Sequence, residues 1–80
     1  MYIITRRIIY PEGDSQEINH ELKINQLVDL NGWPLKIPLE TSKIIVYRVQ
    51  KIKKDYSKGE EVTNYFLELV RRDELEYLVK

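Results

Sequence analysis

Two apolar runs on either side of a charged turn constrain the fold of this chain more than any other feature. Residues 43–53 read KIIVYRVQKIK and residues 62–70 read VTNYFLELV, with the turn KDYSKGEE at residues 54–61 between them. β-Branched and aromatic residues favour the pleated surface of a strand. We therefore predict a hairpin of two long strands joined by this charged turn.

The apolar positions of the first run change sides along the strand. Val49 and Ile52 have opposite parity, and side chains alternate across a strand. This strand must therefore twist strongly, bulge or cross between layers. The second run also fits a helical spacing, but its start is rich in residues of low helix propensity. We prefer a strand for residues 62–70.

Further strands are predicted on both sides of the hairpin. Residues 2–10 (YIITRRIIY) have a strand-like composition. In residues 18–30, five of the seven even positions are apolar, against one of the seven odd positions from 17 to 29, which indicates a half-buried strand. Residues 73–80 fit either a helical turn or a last strand. We prefer a strand that closes against residues 2–10.

The segment after residue 30 carries turn and edge signals. Asn31-Gly32 suits a type I′ hairpin turn, because both residues tolerate a positive φ. In residues 33–39 (WPLKIPL), Pro34 and Pro38 stand four apart, so their missing N–H groups would fall on one edge of a strand. This predicts an edge strand. The alternative is a polyproline-like connector that crosses the sheet.

These elements predict a single domain over residues 1–80 that is mainly β. Its expected form is a small antiparallel barrel or roll of five or six strands, with a single C-terminal helical turn as the alternative at the tail. From residue 22 to residue 70, the order of strands and turns resembles an SH3-like barrel, without the acidic and aromatic peptide-binding motif of signalling SH3 domains. A fold of this kind does not fix a function.

Composition narrows the classes of function. The chain has 13 basic residues, 13 acidic residues and no cysteine, so disulfides, thiolate metal sites and cysteine nucleophiles are excluded. An apolar N-terminal stretch is interrupted by Arg6 and Arg7, and no apolar run approaches the length of a membrane helix. We expect a cytoplasmic protein that binds no membrane, metal or cofactor and has no evident small-molecule substrate.

His20 is the only histidine and so the only candidate general base that titrates near neutral pH. A base needs a substrate proton within reach and a group that orients the ring. On a strand, the nearby Glu21 would point away from it. We interpret His20 as a structural residue at the rim of an apolar face, and we expect no enzymatic activity.

Two function hypotheses follow. The leading one is a binding or accessory module that contacts a protein partner, or a second copy of itself, through an edge strand. Its predicted contact residues are Trp33, Pro34, Leu35 and Ile37. The alternative is nucleic-acid binding, in which cations pair phosphates and an aromatic ring stacks on a base. The residues predicted for it are Arg48, Lys51, Lys53, Lys54, Lys58, Tyr47 and Tyr56.

Two features of the hairpin argue against nucleic-acid binding. Lysines on a hairpin also keep an exposed sheet edge from pairing with other chains. Glu60 and Glu61 lie directly across the turn and neutralise part of its positive field.

Overall fold

The computed structural model describes residues 3–41 and 43–79. Its elements follow one another as β1 (Ile3–Ile9), β2 (Ser15–Ile18), β3 (Leu27–Val28), β4 (Tyr47–Ser57), β5 (Glu60–Leu69) and α1 (Arg72–Leu78). The five strands form one sheet in the order β2-β1-β5-β4-β3, which curls into a half-barrel. The predicted mainly β roll is confirmed.

The β4–β5 hairpin forms the centre of this sheet. Lys58 and Gly59 make a two-residue loop between Ser57 and Glu60, which are paired. Gly59 has φ +74°, a conformation that glycine adopts without steric cost. The predicted strand over residues 62–70 is confirmed. The strand before it begins at residue 47 rather than 43 and continues to residue 57.

The predicted irregularity in β4 is a β-bulge. The pairing shifts between Val49 and Lys51, which leaves Gln50 as the extra residue. Val49 is completely buried, and Ile52 packs against the same core cluster. The bulge therefore lets two apolar residues of opposite parity face the same side of the sheet.

β1 lies beside β5 and runs parallel to it, from Ile3 opposite Glu60 to Ile9 opposite Phe66. The other three pairings of the sheet, β1–β2, β3–β4 and β4–β5, are antiparallel as predicted. A parallel pair needs a long crossover connection, and here β2, β3 and β4 supply it. Tyr2 of the predicted first strand lies outside the described residues.

Two apolar clusters form the core. The first fills the concave side of the sheet and contains Ile8, Ile18, Leu22, Val28, Tyr47, Val49, Tyr65 and Leu67. The second packs α1 against residues just before β4 and just after β5, and it contains Leu27, Leu39, Val46, Val70 and Leu75. Leu27 and Val28 are neighbours that belong to different clusters, so β3 lies between them.

The predicted strand over residues 18–30 is wrong. Only residues 18, 27 and 28 of this stretch belong to strands, and turns lie between them. Asn25 has φ +67°, which no strand accommodates. Its N–H donates to the Val49 carbonyl at 2.8 Å, and the Gln26 carbonyl accepts from the Val49 N–H at 2.9 Å. The first cluster thus receives Ile18, Leu22 and Val28 from separate segments. Their even-numbered positions resemble the alternation of a strand, although they do not belong to one strand.

The predicted edge strand over residues 33–39 is also wrong, because the segment pairs only at isolated residues near its two ends, and its end pairs through a bridge from Leu39 to Val79. Pro34 bridges Val28, and the Leu35 N–H donates to the Leu27 carbonyl at 2.9 Å. Beyond residue 35 the chain is a connector with a cis Ile37-Pro38 peptide bond. Prolines cannot donate to a ladder, so the alternative of a connector describes this segment better.

The tail forms α1 rather than the preferred last strand. A strand would have placed residues 75, 77 and 79 on one face, but Tyr77 is 91% exposed. Leu75 and Leu78 instead face the second cluster together, at helical spacing. The predicted helical alternative is confirmed over residues 72–78. Lys80 lies outside the described residues.

Candidate protein-contact surfaces

Trp33 lies at the end of a three-residue hairpin loop. The Asp29 N–H donates to the Trp33 carbonyl at 2.9 Å, and the Gly32 N–H donates to the Asp29 carbonyl at 3.0 Å. The Asp29 carboxylate also accepts hydrogen bonds from the backbone N–H groups of Asn31 and Trp33. Gly32 has a positive φ and Asn31 does not, so the predicted type I′ turn is wrong.

His20 holds the Trp33 ring in place. The two rings stack with centroids 4.6 Å apart and an angle of 10° between their planes. His20 Nε2 lies 2.7 Å from the Gly32 carbonyl oxygen. A carbonyl can only accept, so Nε2 carries the proton and offers no lone pair for proton abstraction. Trp33 remains 57% exposed although its ring is fixed.

The open edge of the sheet lies beside this stacked pair. β2 is the first strand of the sheet order, so no described strand pairs with its outer side. One cleft, of about 160 Å³, lies elsewhere on the concave face. Another cleft, of about 120 Å³, separates β2 from Trp33. Its lining is Gln16, Glu17, Ile18, Asn19, His20, Asn31 and Trp33.

The other predicted contact residues do not form one surface with Trp33. Pro34 is exposed, and Ile37 is 62% exposed. Leu35 turns inward and packs against the second cluster. It lines a different cleft of about 370 Å³, which it shares with Ile44 and Pro38. The structure thus separates Trp33 from Leu35, although the sequence places them two residues apart.

Two residues predicted for nucleic-acid binding are occupied by internal contacts. Arg48 Nε donates to the Glu68 carboxylate at 2.8 Å, and its terminal nitrogens donate to Glu74, one of them at 3.0 Å. The hydrogen bond from Arg48 lowers the pKa of the Glu74 carboxyl, and the same bond raises the pKa of Arg48. Tyr47 is 8% exposed and packs edge-to-face on Tyr10.

The hairpin lysines divide between the two faces of the sheet. Paired residues on antiparallel strands project to the same side. Lys51 is paired with the half-buried Phe66 and lies over its ring, 5.9 Å from the centroid. Lys54 is paired with the buried Thr63, so it faces the concave side. This division follows from the alternation of side chains along β4, because Lys51 and Lys53 have the opposite parity to Lys54.

The remaining predicted residues follow the same pattern. Lys53 shares the convex side with Lys51, whereas Tyr56 shares the concave side with Lys54. Tyr56 is 66% exposed near the end of the hairpin. Lys58 occupies the loop itself and is exposed.

A third surface was not predicted as a contact site. Ile45 is 52% exposed, Leu69 is 56% exposed, and both border a groove of about 490 Å³. The groove is lined by Lys43, Ile44, Ile45, Leu69, Val70, Arg71, Arg72 and Leu75. The apolar residues before β4 were predicted as the start of the first hairpin strand. The adjacent arginines after an apolar strand were the signal that could have identified this surface.

Two kinds of feature are absent from the described residues: groups of metal-ligating side chains and membrane-spanning helices. Within residues 3–41 and 43–79, no three histidine or carboxylate side chains lie close enough to hold a metal ion. In the same part of the chain, no helix is long and apolar enough to cross a membrane.

Comparison with known proteins places the chain in a family. Residues 4–78 match the family described as "Uncharacterised Treponema protein". Neither the curated proteins nor the solved structures contain a significant match. Because the match covers nearly all of its length, the chain belongs to the family of uncharacterised Treponema proteins.

Proposed function

We propose that this protein is a non-enzymatic binding module that pairs with a second copy of itself through the free edge of β2, next to Trp33. One observation carries the proposal: Trp33 is 57% exposed, yet its ring is fixed by stacking on His20 beside an open sheet edge. A rigid exposed aromatic loses little conformational entropy on binding, which makes it a good anchor. A cytoplasmic location is part of this proposal.

The ladder defines which backbone groups face a partner. Tyr10 N–H donates to the Asp14 carbonyl at 2.8 Å, so these residues form a hydrogen-bonded pair. Such pairs alternate along an antiparallel ladder, and the next strand pairs are Ile9 with Ser15 and Ile8 with Gln16. The N–H and C=O groups of Ser15 and Glu17 therefore point to the open edge.

Charge favours β2 over β4 for pairing between two copies. A two-fold antiparallel contact centred on Gln16 places Ser15 opposite Glu17 of the second copy, so carboxylates do not face each other. The free edge of β4 carries Lys51, Lys53 and Lys54, all of which are exposed. Pairing two such edges would oppose like charges, which destabilises a sheet.

Replacement of Glu17 tests the edge directly. Glu17→Pro removes an N–H that faces the open edge and leaves the β1–β2 ladder bonds in place. Glu17→Ala removes the same carboxylate but keeps the N–H, so it is the matched control. We expect wild type and Glu17→Ala to dimerise in sedimentation equilibrium and Glu17→Pro to remain monomeric.

Trp33→Ala tests the anchor in the same measurement. We expect its dimer dissociation constant to rise by at least about thirtyfold, because truncating a central aromatic anchor costs about 2 kcal/mol or more. A wild-type protein that stays monomeric at millimolar concentration contradicts the proposal, and so does a dimer that neither Trp33→Ala nor Glu17→Pro weakens.

A second candidate function is nucleic-acid binding by the hairpin. The observation in its favour is that the described residues contain no ion pair to Lys51, Lys53, Lys54 or Lys58. Tyr56 is also well exposed beside them. Because Lys54 lies on the opposite face from Lys51 and Lys53, a bound single strand would have to pass around the open edge of β4.

Salt dependence tests this second candidate. A triple Ala variant of Lys51, Lys53 and Lys54 should flatten the slope of log K against log salt by about 2 for single-stranded DNA, because each phosphate contact contributes about 0.7. Lys23→Ala together with Lys36→Ala is the control on other surfaces. Fluorescence anisotropy that finds no binding, or an unchanged slope in the triple variant, removes this candidate.

A further inference from the structure

The groove between the segment before β4 and the segment after β5 exposes apolar side chains in a small area. Ile44 is 39% exposed, Ile45 52% and Leu69 56%. Val70 and Leu75 form its floor and belong to the second core cluster. The groove volume of about 490 Å³ lies in the range of ligand sites in proteins. An apolar groove of this kind can accept an apolar side chain of a partner.

The charged residues that line this groove are all cations. Lys43, Arg71 and Arg72 contribute to the lining, and no carboxylate does. Asp73 reaches only Arg71, at 3.6 Å, and both side chains are highly exposed, so water screens most of that attraction. The chain as a whole is neutral. The positive charge is therefore a local property of the groove.

The two arginines occupy positions that do not suit the helix. Arg71 is the N-cap residue of α1 and makes no side-chain capping bond, and Arg72 is the first helical residue. A helix N-terminus favours Ser, Thr, Asp or Asn as its cap and negative charge in its first turn. Asp73 and Glu74 supply the negative charge, so the missing cap is the rule that is broken, and such departures are expected at functional sites. The arginines thus serve the groove better than they serve the helix.

We propose that this groove binds an acidic peptide segment of another protein, which places one apolar side chain against Ile45 and Leu69 and its carboxylates against Lys43, Arg71 and Arg72. The charge of the lining selects this partner. A two-fold contact with a second copy would bring the same cations together, which is unfavourable. The groove shares no residue with the β2 edge, so this proposal stands independently of self-association.

The probe is a fluorescein-labelled peptide in which acidic residues flank a central Leu-Phe pair. Its control replaces the acidic residues with lysines. We expect the acidic peptide to bind, to shift the backbone amide signals of residues 43–45 and 69–72 in NMR spectra, and to lose affinity as salt is added. The lysine peptide should not bind.

Variants then separate the two parts of the site. Ile45→Ser and Arg72→Glu should each weaken binding about tenfold, by loss of apolar burial and by charge reversal. Ile24→Ser and Arg7→Glu are the matched controls, since Ile24 is also 52% exposed and Arg7 is exposed on β1. Both controls should bind as the wild type does.

Arg71→Ser provides a result that a structural role cannot give. It supplies a good N-cap, so the melting temperature should rise while the affinity for the acidic peptide falls. The proposal is overturned if the acidic peptide does not bind, if the groove variants bind as tightly as the controls, or if Arg71→Ser lowers both stability and affinity. Phosphatidylserine vesicles and single-stranded DNA are the competing probes, and tighter groove-dependent binding of either one also overturns it.

Discussion

Gly32 belongs to the loop between Asp29 and Trp33 and also packs against the core. It has φ +85°, and a Cβ atom there would lie 2.9 Å from Cδ1 of Ile8 and 3.4 Å from Cγ2 of Ile18. Ile8 is completely buried, so it cannot move away without disturbing the first cluster. Glycine at this position satisfies both a backbone and a packing requirement.

A matched pair of glycines separates these two requirements. Gly13 occupies the corresponding place in the loop between Tyr10 and Asp14, with φ +104°, but a Cβ atom there meets nothing within 4 Å. Gly13→Ala should cost about 1–2 kcal/mol for the backbone alone. Gly32→Ala should cost about 2–4 kcal/mol because overpacking is added. Urea denaturation measures the free energy of unfolding of both variants. Equal losses would show that Ile8 can shift at no cost to accommodate the added methyl group.

Glu74 makes the stability of the protein sensitive to acid. Its pKa is lowered from the ordinary value of 4.5, mainly by the hydrogen bond from Arg48. The stabilisation is therefore present above pH 4.5 and is lost as the pH falls through the lower pKa of the folded state. Glu74→Gln should flatten the pH dependence of unfolding in that window. Glu76→Gln, on an exposed position of the same helix, should leave it unchanged, and an equal flattening by both variants would contradict this account.

At the scale of elements, the bulge in β4 determines which side chains reach the core. Val49 pairs with Leu67 and Lys51 with Phe66, so Gln50 has no place in the regular ladder. The opposite parity of Val49 and Ile52 allowed this irregularity to be predicted. Its position could not be predicted, because the partner strand decides which residue is extra.

Deletions test the bulge as an element. Removal of Gln50 should preserve the pairing of Ile52 with Tyr65 and the sides on which all later residues lie, while the strand straightens. Removal of Lys53 should instead break the register between the bulge and the hairpin loop. We expect NMR cross-strand contacts from Ile52 to Tyr65 in the first variant and a larger loss of stability in the second. Equal losses from both deletions would show that the bulge has a stabilising role of its own.

At the scale of the whole molecule, the described residues form an elongated body of 45 × 22 × 17 Å. The first cluster fills the concave side of the sheet, and the second includes Leu75 of α1. Leu39 N–H donates to the Leu78 carbonyl at 2.7 Å, which ties the connector to the helix. A short helix is not stable by itself, so α1 persists because its apolar side packs on the second cluster.

Leu75→Ala tests how much of the molecule depends on this packing. Leu75 is 4% exposed, so the substitution should cost about 2–5 kcal/mol. That is a large part of the roughly 4–12 kcal/mol expected for a domain of 80 residues. Thermal unfolding measures the loss, and Tyr77→Ala on the exposed side of α1 should change stability by less than about 0.5 kcal/mol. Similar losses from both would show that α1 is not anchored through Leu75.

Local periodicity alone was enough to predict the β4–β5 hairpin, an irregularity somewhere between Val49 and Ile52, and the mainly β roll. Only the tertiary structure decided the features that depend on a distant partner. Residues 18–30 alternate in sequence but supply Ile18, Leu22 and Val28 to the core from turns, and the tail became α1 because the second cluster covers Leu75.

The candidate surfaces show the same difference between features that local sequence predicts and features that depend on long-range packing. Trp33 was predicted as a contact residue, but its fixation by His20 required two loops to meet. The cationic groove was not predicted at all, because Ile45 is far in sequence from Leu69 and Arg72. A pattern records which residues are apolar or charged. Which apolar residues are covered depends on long-range pairing and packing, and no local pattern contains that information.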